Sequence, residues 1–128
     1  MKHIHLLMFT ALLMFAAASL LAADATGKWT GTLTIVSAYG GENPGPALLV
    51  LQQDGPKLTG TAGADVNSQL PIQNGAAENG RLTFEIAPPS GAIIKFTLKL
   101  DGDEIKGDVE GDRGGQKQTA KLAVKRDK

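Results

Sequence analysis

The sequence predicts a small all-β domain, most simply an eight-stranded antiparallel up-and-down barrel, with a two-sheet β-sandwich as the alternative. Apolar and polar residues alternate along short runs, which is typical of half-buried strands. All sixteen glycines and six prolines occur from residue 27 onward, between those runs, and no helical period follows residue 23. The barrel is favoured because, apart from residues 39–46, the predicted loops are short, and short loops join neighbouring strands.

The runs that alternate define eight predicted strands, each bounded by glycine, proline, asparagine or aspartate. They cover residues 28–37, 46–53, 57–63, 69–76, 81–87, 92–100, 104–111 and 116–126. In a closed barrel the first strand should pair with the last, which would bring Thr30, Thr32 or Thr34 beside Lys121 or Lys125.

Successive side chains of a strand point to opposite faces, so the alternation also predicts which residues form the core. Leu48, Val50 and Ile93 are predicted to point away from that core, as an exposed apolar patch or beneath the 39–46 loop. The predicted core consists of Trp29, Leu33, Ile35, Leu49, Leu51, Leu58, Leu70, Ile72, Leu82, Phe84, Ile86, Ile94, Phe96, Leu98, Leu100, Ile105, Val109, Leu122 and Val124.

A hairpin motif occurs twice in the chain. The segment 49–55 ends in Asp-Gly and leads to Gly60, and the segment 96–102 ends in Asp-Gly and leads to Gly107. Asp-Gly suits a tight turn that needs positive φ. Two copies of one hairpin indicate a meander, and Asn79-Gly80 and Gly114-Gly115 are predicted to form further turns of this kind.

The densest charge cluster, residues 101–112, is predicted to be a solvated face rather than a calcium loop, because Ile105 and Lys106 violate the EF-hand spacing. A turn centred on Asp101-Gly102 predicts cross-strand ion pairs that fix the register. This turn predicts the pairs Lys99 with Glu104 and Lys95 with Asp108, and a second turn near Arg113-Gly114 predicts the pair Glu110 with Lys117.

Residues 1–23 are predicted to be a secretory signal peptide, and residues 24–128 a single all-β domain. Lys2 precedes an apolar run that reaches Leu21, and Asp24 follows at once, which is typical of a cleaved signal rather than a membrane anchor. Cleavage is expected after Ala23. The predicted location is therefore periplasmic or extracellular, with no membrane span after cleavage.

The domain that remains offers little reactive chemistry. It has no His, Cys or Met, and with Lys2 removed it has 12 basic and 13 acidic residues, a net charge of 12 − 13 = −1. Most nucleophilic and transition-metal sites need His or Cys, and nucleic-acid binders carry a strongly basic face. We therefore predict no enzyme, no catalytic residues, no metal, no cofactor and no nucleic-acid partner.

Two short motifs resemble the calycin barrels, and the avidins more than the lipocalins. Gly27-Lys28-Trp29 opens the first strand, and a Leu-Thr-Gly-Thr run ends at Thr61, so the resemblance covers residues 27–61 directly. The Asp-Gly hairpins also resemble those of uncharacterised exported bacterial domains. The calycin resemblance implies that a ligand binds inside the barrel. It also implies that Arg126 packs against Trp29 and closes one end.

The chain departs from the avidins where those proteins bind biotin. Avidin-type sites use polar residues after the first-strand tryptophan and a tyrosine after the Leu-Thr-Gly-Thr run. Gly31, Ile35 and Ala62 stand at those places, so biotin binding is not expected.

The predicted function is that of a secreted non-catalytic binding domain for a small hydrophobic ligand. The alternative is a structural or protein-interaction module, such as an inhibitor, that binds a protein partner through its surface and the 39–46 loop. Inward glycines either leave room for a ligand or permit sharp strand coiling. The candidate ligand-binding residues are Trp29, Gly31, Tyr39, Gly60, Phe84 and Phe96.

Overall fold

A computed structural model describes residues 24–37 and 40–127, which form nine β-strands. The predicted signal peptide, residues 1–23, lies outside the described residues, as does Tyr39. The strands are β1 (Gly27–Val36), β2 (Glu42–Asp54), β3 (Lys57–Gly63), β4 (Gln69–Pro71), β5 (Gln73–Glu78), β6 (Arg81–Ile86), β7 (Ile93–Asp101), β8 (Glu104–Arg113) and β9 (Gln116–Arg126).

Eight of these strands follow one another in sequence order around a closed antiparallel barrel, and β4 is an additional strand that pairs with β3. The ring closes because β1 pairs with β9 as well as with β2. Thr30 lies opposite Lys125 and Thr34 opposite Lys121, so the predicted closure is confirmed. The sandwich alternative is wrong, because the first and last strands are hydrogen-bonded to each other rather than lying on separate edges.

The predicted hairpins are confirmed, but the aspartate of each Asp-Gly motif is the last residue of its strand rather than part of the turn, because Asp54 pairs with Lys57 and Asp101 pairs with Glu104. Gly55 and Gly102, the two glycines of the repeated Asp-Gly motif, have φ angles of 62° and 63°. Asn79 and Gly80 both have positive φ, as a two-residue type I′ turn requires. The repeat in the sequence is therefore a repeat of turn geometry.

The predicted fourth strand, residues 69–76, is wrong as a single element, because it is divided at Ile72 into β4 and β5. The register of β5 against β6 shifts between Gln73 and Ala76, and Asn74 within that shift has a φ of 53°. A Cβ at Gly75 would lie 2.0 Å from the Leu58 carbonyl oxygen. The strand is thus interrupted at Ile72 and irregular over residues 73–76, where the approach of β3 leaves room only for glycine at position 75.

The predicted loop at residues 39–46 is also wrong, because β2 begins at Glu42. Pro44 and Pro46 pair with Thr34 and Thr32 of β1, whereas β3 reaches β2 only from Leu48 onward. This part of β2 is thus an edge segment within the described chain. Proline is tolerated there because its missing N–H faces the unpaired side.

The predicted core is confirmed. Most of these residues, including Trp29, Phe84 and Phe96, are buried in one cluster. The predicted residues that pack against it partly buried are Leu33, Ile35, Leu70, Ile72, Ile94 and Leu100. Val50 and Ile93 are exposed as predicted, whereas Leu48 is buried although it lies outside the cluster. Alternation failed to select several buried alanines, which are Ala25, Ala47 and Ala77.

The predicted ion-pair register between β7, β8 and β9 is wrong by two residues. Asp101 pairs with Glu104, so Gly102 and Asp103 form the turn, and Lys99 lies opposite Lys106 instead of Glu104. The other observed pairs are Lys95 with Glu110 and Asp112 with Lys117. Lys117 nevertheless reaches Glu110 diagonally, with 3.3 Å between Nζ and Oε1.

Candidate functional site

One end of the barrel, the closed end, is filled by Trp29 and the chain that precedes it. Trp29 is fully buried, and its indole Nε1 donates a hydrogen bond to the Ala25 carbonyl oxygen at 3.0 Å. Ala25 is equally buried, and its amide donates to Gln53 Oε1 at 2.9 Å. The polar groups at this end are therefore satisfied within the protein, as buried polar groups require.

Arg126 covers Trp29 at the closed end, as the resemblance to the calycins implies. Its guanidinium carbon lies 4.3 Å from the ring centroid of Trp29, within the range of a cation–π interaction. Nε donates to Asp103 Oδ1 at 3.0 Å, and the two terminal nitrogens donate to the carbonyl oxygens of Thr26 and Asp24 at 2.6 and 3.1 Å. One guanidinium thus ties β9, the β7–β8 turn and the start of the domain together.

The opposite end, the open end, contains an apolar cavity of about 150 Å³ inside the barrel. Its lining includes Leu33 and Ile94, which are only partly buried, so solvent reaches the cavity at this end. Leu49 also lines it and is the cross-strand partner of Trp29, which places the floor of the cavity toward the closed end. The lining residues are Leu33, Pro46, Ala47, Leu49, Gly63, Ala64, Ile86, Ile94, Phe96, Val109 and Leu122.

The cavity suits a small hydrocarbon group and nothing that needs a side-chain hydrogen bond. None of its lining residues has a polar side chain. An enclosed apolar cavity of about this size in a protein core accepts a benzene-sized molecule. The arrangement therefore offers burial of apolar surface as its source of affinity.

A wider groove with mixed chemistry adjoins the cavity, because Ile94 lines both. The groove lies beside the β8–β9 hairpin and includes Asp112, Arg113 and Lys117. A ligand with an apolar end in the cavity would leave its polar end in this groove.

The structure separates the aromatic residues that the sequence selected as ligand-binding candidates. Trp29 belongs to the closed end. Phe84 and Phe96 are cross-strand partners whose rings are stacked, with centroids 4.5 Å apart and planes inclined by 20°. Phe96 lines the cavity, whereas Phe84 does not belong to its lining. Tyr39 lies outside the described residues.

The two glycine candidates, Gly31 and Gly60, are required by close approach between strands. A Cβ at Gly31 would lie 2.1 Å from the Ala123 carbonyl oxygen, and one at Gly60 would lie 1.9 Å from the Val50 carbonyl oxygen. Gly60 also has a φ of 135°, which other residues rarely adopt. These contacts give both glycines a role in strand coiling, and a role in ligand binding stays a prediction.

Sequence reasoning placed most of the cavity lining in the core without selecting it as a site. Leu33, Ile86 and Ile94 were predicted core residues close to strand ends. Ala47 and Gly63 were not selected, although small residues at one end of two adjacent strands are a signal for missing volume. The alternation identifies an inward side chain but does not say whether neighbours fill the space above it.

Charged chemistry is confined to the surface of the described chain. Residues 24–37 and 40–127 include no buried polar or charged residue and no group of three His, Cys, Asp or Glu side chains placed to hold a metal ion. That part of the chain also contains no helix with the length and apolar character needed to cross a membrane. No protein-family model matches the chain, and a search of curated proteins found no match.

Proposed function

We propose that this chain is an exported, non-catalytic binding domain that holds an apolar group of a small ligand at the open end of its barrel. The observation that carries the proposal is the contrast between the two ends. Trp29 and Arg126 fill one end, while the other retains an apolar cavity of about 150 Å³ that solvent can reach.

The size of the cavity limits what it accepts. Burial of one methylene group contributes about 0.8 kcal/mol, so a group of about six carbons gains up to ~5 kcal/mol before the entropic cost of binding. This corresponds to weak or moderate affinity, which polar contacts in the adjoining groove would raise. The absence of polar side chains from the lining argues against a biotin-like ligand whose buried part needs hydrogen bonds.

The kinship that fits this proposal is with the calycin barrels. Strand order, the Gly-x-Trp opening and the cover of Arg126 over Trp29 support it. The non-catalytic assignment is supported by the lining of the cavity, which has no carboxylate, hydroxyl or amine side chain to transfer a proton or attack a substrate.

The test is a titration of methyl-labelled protein with toluene and with octanoate, followed by NMR. Methyl signals of Leu33, Ile94 and Leu122 should shift, because these residues line the cavity. Signals of Leu58 and Ile105 are the internal control, since both are buried outside its lining. Equal shifts in both groups, or none at all, would exclude the cavity as the binding site.

A matched pair of variants separates the cavity from the outer surface. Ile94→Phe adds bulk to the cavity wall and should abolish binding of toluene. Ile93→Phe adds the same bulk to the neighbouring residue, which is 48% exposed and points outward, and should leave binding unchanged. Retention of toluene by the Ile94 variant would overturn the proposal.

A protein partner that covers the open end is the second candidate, because exposed apolar side chains occur near the cavity. Val66 is 68% exposed and lies two residues from Ala64 of the lining, and Ile93 precedes Ile94. A pull-down with the wild type and with the Val66→Ser variant tests this candidate. A protein captured by the wild type and lost by the variant supports it, whereas capture by both would contradict it.

A further inference from the structure

The outer face of the barrel mostly sets opposite charges beside one another. Lys95 of β7 lies between Glu85 of β6 and Glu110 of β8. Lys125 of β9 lies opposite Glu104. Opposite charges that face each other across strands are stabilising, so these rows are neutralised within the sheet.

Two rows depart from this pattern: Asp101 of β7 lies opposite Glu104 of β8, and a second row consists of cations alone. Lys99 of β7 lies directly opposite Arg81 of β6 on one side and Lys106 of β8 on the other. We call these three residues the basic row. All three are exposed, and like charges placed directly opposite each other are destabilising. Such an arrangement costs stability unless something else neutralises it.

Neighbouring acids neutralise only the two ends of the basic row. Glu78 of β5 lies opposite Arg81, and Glu104 approaches Lys106 with 3.4 Å between Oε2 and Nζ. Lys99 at the centre has no acid opposite it and forms no ion pair with any described residue. Lys99 is therefore the cation of the row that no described acid opposes or pairs with.

The basic row lines a surface groove of about 360 Å³. Asn79 and Gly80, the turn between β5 and β6, form one side of this groove. Asp108 is the carboxylate among the lining residues, and it is already engaged in a short ion pair with Lys121. The groove is thus bordered by a guanidinium, two ammonium groups, an amide and the Asp108 carboxylate, around the apolar residues Leu98 and Gly107.

We propose that the basic row binds a short linear oligoanion with at least three negative groups in line. Strands are about 4.8 Å apart, so three cations on three neighbouring strands span about 10 Å across the sheet. Arg81 can contact a phosphate or sulfate group with two parallel hydrogen bonds, while the lysines act as point charges. Glu78 and Glu104 flank the row, so a long polyanion such as nucleic acid would be repelled at both ends.

Calorimetry tests this site independently of the interior cavity. The two probes are tripolyphosphate, which has three phosphate groups in line, and orthophosphate, which has one. Tripolyphosphate should bind more tightly than orthophosphate, and its affinity should fall as salt rises because the groups are exposed. The Lys99→Gln variant should bind tripolyphosphate about fivefold more weakly, as loss of one exposed charge pair implies.

Lys95→Gln is the matched control, because it removes the same charge from the same strand but from a neutralised row. It should bind tripolyphosphate as the wild type does. Equal losses in the two variants would show general charge attraction and overturn the site, as would equal affinity for the two phosphates. Trp29 fluorescence reports whether each variant keeps the folded closed end.

Discussion

The two ends of this barrel are built from the same strands but are packed in different ways. At the closed end, Trp29 lies beneath Arg126, and the residues that precede β1 are hydrogen-bonded into the barrel. At the open end, Leu33 and Ile94 stand at the rim of an apolar cavity. Leu33 follows Trp29 by four residues, about 13 Å along one strand.

The difference is one of packing, and under the proposed function it separates the end that stabilises the barrel from the end that binds a ligand. The closed end joins an aromatic ring, a guanidinium and three backbone carbonyl groups, whose hydrogen bonds are all made within the protein. The open end leaves apolar surface incompletely packed, which costs dispersion energy that a ligand can restore. Equivalent substitutions in two regions of the barrel should therefore have different effects.

The largest expected effect is that of truncation at the closed end. Trp29→Ala should lower the free energy of unfolding by about 3–5 kcal/mol, because it removes a fully buried ring and the cover of Arg126. Leu33→Ala at the open end should cost only about 1–2 kcal/mol, since that side chain is partly exposed beside a cavity. Urea denaturation measures both, and equal losses would refute the contrast between the ends.

Enlargement of a buried alanine should have opposite signs at the two ends. Ala25→Val should destabilise by about 1–3 kcal/mol, because Ala25 is fully enclosed and an added methyl group overpacks the closed end. Ala47→Val should stabilise by about 0.5–1 kcal/mol, because Ala47 lines the cavity and the added methyl groups fill it.

Thermal and urea unfolding compare these two variants, and toluene titration follows the second. The Ala47 variant should lose affinity for toluene as it gains stability. A destabilised Ala47 variant would mean that the open end is already well packed, and the cavity would then be no candidate for a ligand site.

The smallest expected effect concerns the outer face of β7, where one charge reversal is made at each of two lysines. Lys99→Glu should raise the free energy of unfolding by about 0.5–1 kcal/mol, because it puts an acid between Arg81 and Lys106. Lys95→Glu should lower it by a similar amount, because it puts a third acid between Glu85 and Glu110. Changes of the same sign would contradict the register of these strands.

Much of the fold was predictable because its signals are local. Alternation selected Trp29, Phe84 and Phe96 as inward residues, and the turn chemistry of Gly55, Gly102 and Asn79-Gly80 is a property of short segments. The candidate site was less accessible. Of the predicted ligand-binding residues, Phe96 lines the cavity. The orientation of a side chain is a local property that alternation predicts, whereas unfilled space depends on every strand around the barrel.

The sequence by itself determined which residues turn inward, which segments form hairpins, and that the chain forms a sequential antiparallel sheet. Tertiary structure decided the register of β7 against β8, because a shift of two residues leaves every side chain on the same face and so leaves the alternation unchanged. It also decided the break at Ile72, where the backbone of β3 approaches Gly75. The difference between the two ends also depends on contacts that are distant in sequence. Arg126 reaches Trp29 because β9 pairs with β1 and closes the ring. These two residues are almost 100 positions apart, so alternation along a strand does not predict their contact.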